Sequence, residues 1–158
     1  MLLLGLKHTR QQHEADCMVA CCAMVLDYLQ IPIRYQRLLH LLETQEFGTF
    51  FSRVHNLTKI GVSVKSGEYA RLALFEQIID LGLPIIVPVR TWTLLYWQGV
   101  DTEHALVIVG VDIASEKIYV YDPFFGEAPI ELTLDEFEPA WTEMDRRYVV
   151  ISLSDIIK

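Results

Sequence analysis

The stretch QQHEADCMVAC at residues 11–21 begins with polar residues and ends with apolar ones, a change typical of the start of a buried helix. We predict that this helix runs from Asp16 to Gln30, because its few polar positions leave apolar surface on most sides. Asp16 is suited to the N-cap, and Pro32 ends the helix because proline lacks a backbone N–H. Cys17 is therefore expected in the first turn of this helix.

Cys17 is the candidate nucleophile of the chain. The thiolate is the nucleophilic form of cysteine, and the N-terminus of a helix favours negative charge. Cys21 and Cys22 are expected to be small core residues. For Cys17, position alone does not decide between a core residue and a nucleophile. Because the three cysteines form one cluster with an odd count, they do not read as a disulfide framework, and we predict free intracellular thiols.

The composition is that of a single globular domain, which we predict over residues 1–158. Thirteen basic and 21 acidic residues give a formal charge of −8, which argues against nucleic acid as the main partner because phosphate binding needs a basic surface. No apolar stretch is long enough for a signal-peptide core or a membrane span. We therefore expect no membrane segment and a cytoplasmic protein.

Hydrophobic periodicity places helices in the first half of the chain and a mostly antiparallel sheet in the second, an α+β order. Gly82 is expected to close one helix, and Thr133 with Glu136 is expected to form a capping box at the start of another. Further helices are predicted over Arg34–Leu42, Tyr69–Leu81 and Thr133–Met144, and strands over Gly61–Lys65, Pro84–Val89, Ala105–Asp112, Lys117–Tyr121, Ile130–Leu132 and Arg147–Leu153.

A histidine and an aspartate are expected to meet in the predicted sheet. His104 opens the apolar run Ala105–Val111, where a strand can hold its side chain rigidly. Asp122 ends the next strand, and adjacent antiparallel strands bring the start of one beside the end of the other. A thiolate nucleophile needs a base and a partner that orients the base. A strand-edge histidine and an Asp-Pro turn are each common alone, but their combination with Cys17 is less so.

These segments resemble the bacteriocin-processing peptidases, papain-like domains that cut leader peptides after a double glycine. Residues 11–21 are similar to the family's nucleophile motif, in which a glutamine precedes the cysteine by six positions. HALVIVG at residues 104–110 resembles its histidine strand, and Tyr121-Asp122-Pro123 with Gly126 resembles its Asp-Pro-x-x-Gly element. The resemblance covers nearly the whole chain in the family's order. It implies a papain-like fold, cysteine peptidase activity and no cofactor.

The resemblance also implies a role for each site residue. Cys17 matches the nucleophile, His104 the general base and acid, and Asp122 the residue that orients the imidazole. Gln11 matches the glutamine whose side-chain amide, with the backbone N–H of Cys17, stabilises the oxyanion. Gln12 is its neighbour in the doublet and is an alternative for that role.

Met18 departs from the family pattern, which usually has glycine after the cysteine. A larger side chain there can narrow the substrate cleft, so cleavage after a double glycine is in question. We expect a peptide or protein substrate, bound in a cleft walled by the aromatic loop Thr91–Thr102 and by Thr49–Leu57. The structure of Thr49–Leu57 is left unassigned, although its Ser52, Val54 and Leu57 could open another helix.

Three other interpretations remain open on the residues alone. The chain could bind a peptide without cutting it, as a catalytically silent papain-like module. It could transfer the acyl group of a Cys17 thioester to an amine instead of to water. Cys17, Cys21 and a histidine could also bind zinc, although no second ligand pair with zinc-like spacing follows.

Overall fold

The computed structural model describes residues 1–126 and 129–154 and contains helices packed on a six-stranded sheet. The α-helices are α1 (Cys17–Tyr28), α2 (Tyr35–Leu41), α3 (Leu72–Asp80) and α4 (Leu134–Thr142), and 3₁₀-helices cover Phe51–Ile60, Thr91–Thr93 and Leu95–Trp97. The strands are β1 (Ser63–Gly67), β2 (Ile85–Arg90), β3 (Glu103–Asp112), β4 (Lys117–Tyr121), β5 (Ile130–Thr133) and β6 (Tyr148–Ser152).

The sheet has the strand order β1-β6-β2-β3-β4-β5, and each pair of neighbours is antiparallel. The predicted α+β class is therefore confirmed, although β1 precedes α3 and α4 lies between β5 and β6 in the sequence. β6 comes last in the sequence, yet it lies between β1 and β2. β2, β3, β4 and β5 lie side by side in the sheet in the same order as in the sequence, and β3 and β4 form a hairpin.

Helix α1 is buried on most sides, as its composition predicts. Eight of its 12 residues are buried, and the helix packs against β3 and α2. β3 is itself buried at eight of its ten positions, so α1 lies on a buried strand of the sheet. This packing fixes the helix start, and hence Cys17, relative to β3.

The predicted helix ends agree with the structure where the sequence contains a specific cap. The Thr133 side chain accepts a hydrogen bond from Glu136 N at 3.2 Å, and the Glu136 carboxylate accepts one from Thr133 N at 3.1 Å, so the capping box is present. Gly82 has a φ of +81° and follows α3. Helix α3 begins at Leu72 instead of Tyr69, because Tyr69 has a φ of +54°, which a right-handed helix excludes.

Residues 49–57, which sequence periodicity left unassigned, lie mostly in the 3₁₀-helix Phe51–Ile60. Gly61 ends this helix with a φ of +90° and leads into β1. None of the helices in the described part of the chain has the length and apolar character needed to cross a membrane.

Candidate active site

The structure brings Cys17, His104 and Asp122 together at one end of the sheet. Cys17 is the first residue of α1, His104 is the second residue of β3, and Asp122 directly follows β4. His104 Nε2 donates a hydrogen bond to Asp122 Oδ1 at 2.7 Å, and the His104 ring also bonds the Cys17 side chain. Because Nε2 is occupied by Asp122, Nδ1 is the ring nitrogen that faces Cys17.

The hairpin of β3 and β4 explains why His104 and Asp122 meet. Its turn covers residues 113–116, as predicted, and is closed by a hydrogen bond from Glu116 N to Ile113 O at 3.1 Å. Val107 pairs with Tyr121 in the antiparallel register. Continuing this register by one residue places Asp122 two residues along the sequence from the level of His104. A bulge between Ile108 and Gly110 shifts the register along the hairpin.

The Asp122 carboxylate is fully buried and accepts hydrogen bonds from four groups. Oδ1 accepts from His104 Nε2 and from Phe124 N at 2.8 Å. Oδ2 accepts from the Tyr96 hydroxyl at 2.6 Å and from Trp97 Nε1 at 3.2 Å. This environment provides a donor for each lone-pair direction of an ionised carboxylate.

Tyr96 and Trp97 were predicted only as part of a loop that walls the cleft. In the structure the loop contributes Thr102 to the cleft, whereas these two aromatic residues hold Asp122. The Trp97 ring also packs edge-on against His104, with 4.9 Å between ring centroids. Sequence reasoning missed this role because the loop has no hydrophobic period that points a side chain in a known direction.

His104 and Asp122 form an ion pair at neutral pH. Burial lowers the pKa of His104, but the hydrogen bonds and negative charges of Asp122 and Cys17 outweigh it and raise the pKa to about 9. Burial raises the pKa of Asp122, but His104, Tyr96 and the backbone N–H of Phe124 hold this pKa below its usual value. Above the pKa of Asp122 and below about pH 9, both groups are therefore charged.

Asp16 occupies the N-cap position of α1, as predicted. Its side chain makes no capping hydrogen bond to the helix, however, so this part of the prediction is wrong. The buried carboxylate instead accepts hydrogen bonds from His13 N at 2.9 Å and from the Tyr35 hydroxyl at 2.8 Å. The first N–H groups of a helix have no partner within the helix. They remain at the start of α1, where Cys17 lies, and present a positive field to a thiolate.

Gln11 lies in a tight turn before α1. Its Nε2 donates to His13 O at 2.9 Å and to Glu14 O at 3.0 Å, so both amide hydrogens are used within the turn. Its Oε1 is buried and has no hydrogen-bond partner among the described residues. Gln12 is exposed. The structure therefore places Gln11 close to the helix start, with its donors bound to carbonyl oxygens.

The N-terminal segment also fixes the backbone around Asp122, which sequence reasoning did not foresee. His8 Nε2 donates to Asp122 O at 2.7 Å, and Gln11 N donates to Pro123 O at 2.9 Å. The segment that precedes the candidate nucleophile is thus hydrogen-bonded to the segment that follows β4.

A cleft opens beside Cys17 and His104. Met18 lies in its wall and is only 5% exposed. The other wall is formed by the segment from Phe47 to Phe51, which includes part of the predicted wall Thr49–Leu57. The remaining lining residues are Glu14, Ala15, Pro88, Thr102, Glu103, Ala105, Met144 and Arg147.

Cys21 and Cys22 are fully buried in α1, in agreement with the core role predicted for them. Burial raises the pKa of Cys22 to about 12 and, together with Cys17 and Cys22, raises the pKa of Cys21 well above its usual value. Iodoacetamide at pH 7.5 is therefore expected to alkylate the folded chain at one cysteine, Cys17. Peptide mapping by mass spectrometry checks this, and labelling of Cys21 or Cys22 with Cys17 spared would contradict it.

No group of three or more His, Cys, Asp or Glu side chains within residues 1–126 and 129–154 has an arrangement that could hold a metal ion.

Comparison with known proteins gives consistent matches. A model of the family described as the Peptidase C39 family matches residues 5–145. The chain is 29% identical over 133 residues to the lactococcin-G-processing and transport ATP-binding protein LagD of Lactococcus lactis subsp. lactis. That alignment covers 84% of this chain but 17% of LagD, so the chain spans a small part of that protein.

Three solved structures share the fold over almost the whole chain. A C39-like peptidase from Bacillus anthracis has a TM-score of 0.75 at 16% identity, covering 95% of this chain and 96% of that one. The peptidase domain of Streptococcus ComA, a bifunctional ABC transporter in a quorum-sensing pathway, has a TM-score of 0.73 at 21% identity, covering 94% and 98%. A double glycine motif protease from an AMS/PCAT transporter, in complex with the leader peptide, has a TM-score of 0.69 at 16% identity, covering 96% and 94%.

Proposed function

Because the chain belongs to the Peptidase C39 family and is therefore a cysteine peptidase, we propose that it hydrolyses a peptide bond with Cys17 as nucleophile and His104 as general base and acid. The observation that carries this proposal is the arrangement of the His104 ring, which bonds Asp122 through Nε2 at 2.7 Å and Cys17 on its other side. Asp122 fixes the orientation and the charge of the imidazole.

The acylation step forms a thioester on Cys17. The Sγ thiolate attacks the carbonyl carbon of the substrate, and the carbonyl oxygen becomes an oxyanion. The His104 imidazolium, with its proton at Nδ1, then protonates the leaving amine as the C–N bond breaks. A pKa of about 9 keeps His104 protonated at neutral pH until that transfer.

The deacylation step returns the enzyme to its starting state. After losing its proton, His104 Nδ1 accepts a proton from a water molecule that attacks the thioester carbonyl. The C–S bond breaks, a carboxylic acid product leaves, and the Cys17 thiolate is restored beside the imidazolium. Asp122 remains ionised throughout and stabilises the charged ring.

The oxyanion is stabilised at the start of α1. The backbone N–H of Cys17 lies in the first turn, where a helix provides no internal acceptor. Gln11 would supply a second donor by exchanging one bond from Nε2, to His13 O or Glu14 O, for a bond to the oxyanion. Gln12 is exposed and is the alternative donor.

Gln11→Ala is expected to lower kcat by about 10- to 10³-fold with a smaller change in KM, because the lost bond is made in the transition state. Gln12→Ala is the matched control and is expected to keep kcat within about twofold of the wild type. Steady-state kinetics of both variants checks the assignment. A large loss in Gln12→Ala with a normal Gln11→Ala would transfer the role to Gln12.

The substrate is proposed to be a leader or precursor peptide. LagD is named for processing lactococcin G, and one structural neighbour is a double glycine motif protease in complex with a leader peptide. Met18 lies in the cleft wall where the resembled family usually has glycine. Because Met18 narrows this wall, we propose cleavage of a precursor whose residues at the scissile bond are small. Double glycine is the first pair to test, since Met18 puts its acceptance in question.

Synthetic precursor peptides test this substrate class. Peptides that differ only in two residues before the scissile bond, Gly-Gly against Ala-Ala and Leu-Leu, are incubated with the protein, and products are identified by mass spectrometry. Cleavage is expected after the small pairs and reduced at least about tenfold after Leu-Leu, since a narrow cleft excludes large side chains. Equal cleavage of all three peptides would contradict the proposed specificity while leaving the peptidase activity established.

A further inference from the structure

The cleft beside Cys17 continues into a second depression. Phe50, Phe51 and Arg147 line both, so the two form one groove. Beyond Arg147 the groove passes His55 and Ser66, which are hydrogen-bonded to each other at 2.8 Å. A peptide that crosses Cys17 in an extended conformation therefore has space to continue past Arg147.

Arg147 is placed in this groove by an unusual turn between α4 and β6. Asp145 and Arg146 have φ values of +60° and +48°, and Tyr69, which contacts the turn, has a φ of +54°. Non-glycine residues seldom adopt the left-handed region of backbone conformation, and here three of them lie in contact with one another. Backbone strain of this kind concentrates at functional sites. Ile86 of β2 pairs with Val149 of β6 in an antiparallel register. Continuing this register by two residues places Arg147 opposite Pro88, which also lines the cleft.

The turn is held rigidly despite its strain. The Arg146 guanidinium lies over the Trp141 ring at 4.4 Å, and Arg146 Nε donates to Ala70 O at 2.7 Å. Trp141 Nε1 donates to Arg147 O at 2.8 Å. These contacts fix the backbone of Arg147 from inside the core and leave its side chain directed to the groove, where it is 40% exposed.

The Arg147 guanidinium has unused donors. Nη2 bonds Asp145 Oδ2 at 3.2 Å, and the Nε and Nη1 hydrogens have no acceptor among the described residues. The acidic residues that also line the groove are Glu14, Glu68 and Glu103, which are all exposed. Glu103 is paired with Arg90 at 3.7 Å. Arg147 is 40% exposed, so solvent screens its charge in part as well, and it lines the groove together with the apolar side chains of Phe50 and Phe51.

We propose that Arg147 binds a carboxylate of the substrate peptide, provided by an Asp or Glu side chain within three residues of the cleaved bond. This assignment rests on the proposed function, because it takes the groove as the path of the substrate. Arginine pairs with carboxylates through two parallel hydrogen bonds from neighbouring N–H groups on one edge of the guanidinium. The Nη2 hydrogen that Asp145 leaves unused forms such a pair with Nε or Nη1, whichever shares its edge. A side chain fits better than a C-terminal carboxylate because the groove continues beyond Arg147.

Peptide binding to the Cys17→Ala variant tests the proposal independently of cleavage. Fluorescent peptides with blocked termini carry one Glu, moved through the three positions on each side of the scissile bond, and each has a Gln counterpart. At one position Glu is expected to lower Kd about tenfold relative to Gln at low salt. The added substitution Arg147→Gln is expected to remove this difference, Arg147→Lys to keep part of it, and Arg37→Gln, on the exposed side of α2, to leave it unchanged.

The outcomes separate this proposal from the proposed function. Equal Kd values for Glu and Gln at each position, no detectable binding, or a preference that survives Arg147→Gln would overturn the role of Arg147. The Gln peptide with its C-terminus left unblocked is measured alongside, and tight binding that needs this free C-terminus would also overturn the role of Arg147, because the carboxylate would then come from the chain end. If the wild type cleaves none of these peptides although the Arg147-dependent preference is present, the proposed function fails and the carboxylate site stands.

Discussion

Replacing Cys17 by alanine is expected to lower kcat/KM for peptide hydrolysis by at least about 10⁴-fold, because the variant lacks the proposed nucleophile. The fold should be retained, since Cys17 is only partly buried and the core of α1 is formed by other residues. Product formation measured by mass spectrometry over several hours checks the loss, and circular dichroism checks the fold.

Cys22→Ala is the matched control for this variant. Cys22 lies in the same helix but is fully buried and away from the cleft, so its replacement is expected to reduce stability modestly and to leave kcat/KM within about threefold. Substantial hydrolysis by Cys17→Ala, or a loss in Cys22→Ala that matches the loss in Cys17→Ala, would show that Cys17 is not the nucleophile.

Replacing Asp122 by asparagine is expected to reduce kcat/KM by about 10²- to 10⁴-fold, because it alters the residue proposed to orient and charge His104. The carboxylate accepts hydrogen bonds from four donors, and an asparagine amide has one acceptor oxygen. If that oxygen faces His104, the amide hydrogens face Trp97, whose indole N–H can only donate. Kinetics of the purified variant measures the effect, and activity equal to the wild type would contradict it.

The same substitution is expected to move the alkaline limb of the pH–rate profile. In the wild type this limb reflects loss of the imidazolium proton and is expected near pH 9, the pKa of His104. In Asp122→Asn burial still lowers this pKa and Cys17 still raises it, while the hydrogen bond to a carboxylate and the charge of that carboxylate are gone, so the limb should move to lower pH. An unshifted limb would mean that Asp122 does not set the charge of His104.

Folding stability should follow the same ionisation. The pKa of His104 is higher in the folded chain, about 9 against 6.5, so folding is stabilised fully below pH 6.5, and this contribution is lost as the pH rises to 9. Asp122→Asn should flatten the fall in the unfolding free energy between these pH values, as measured by urea denaturation.

The features that the sequence predicted correctly depend on local chemistry. The buried character of α1, the turn between β3 and β4, the capping box at Thr133 and the role of Gly82 each follow from residues close together in the chain. The approach of His104 to Asp122 was also predictable, because one short hairpin determines it.

The features that could not be predicted depend on contacts between distant segments. The position of β6 between β1 and β2 is set by packing that no local pattern records. Tyr96 and Trp97 reach Asp122 from 26 and 25 positions away, respectively. Asp16 was expected to cap α1, but Tyr35 and His13 N bind its carboxylate instead. The extent of the domain over residues 1–158 and the roles of Gln11, Cys17, His104 and Asp122 remain predictions.

Trapping the acyl-enzyme shows directly whether Cys17 is the nucleophile. A peptide with an activated ester at its C-terminus acylates faster than the thioester is hydrolysed, so the covalent intermediate accumulates and can be quenched in acid within milliseconds. Digestion and mass spectrometry are predicted to find the acyl group on the fragment that contains Cys17, and to find none in Cys17→Ala. Turnover of the ester without an acyl group on Cys17 at any time, or an acyl group on Cys21 or Cys22, would contradict the account.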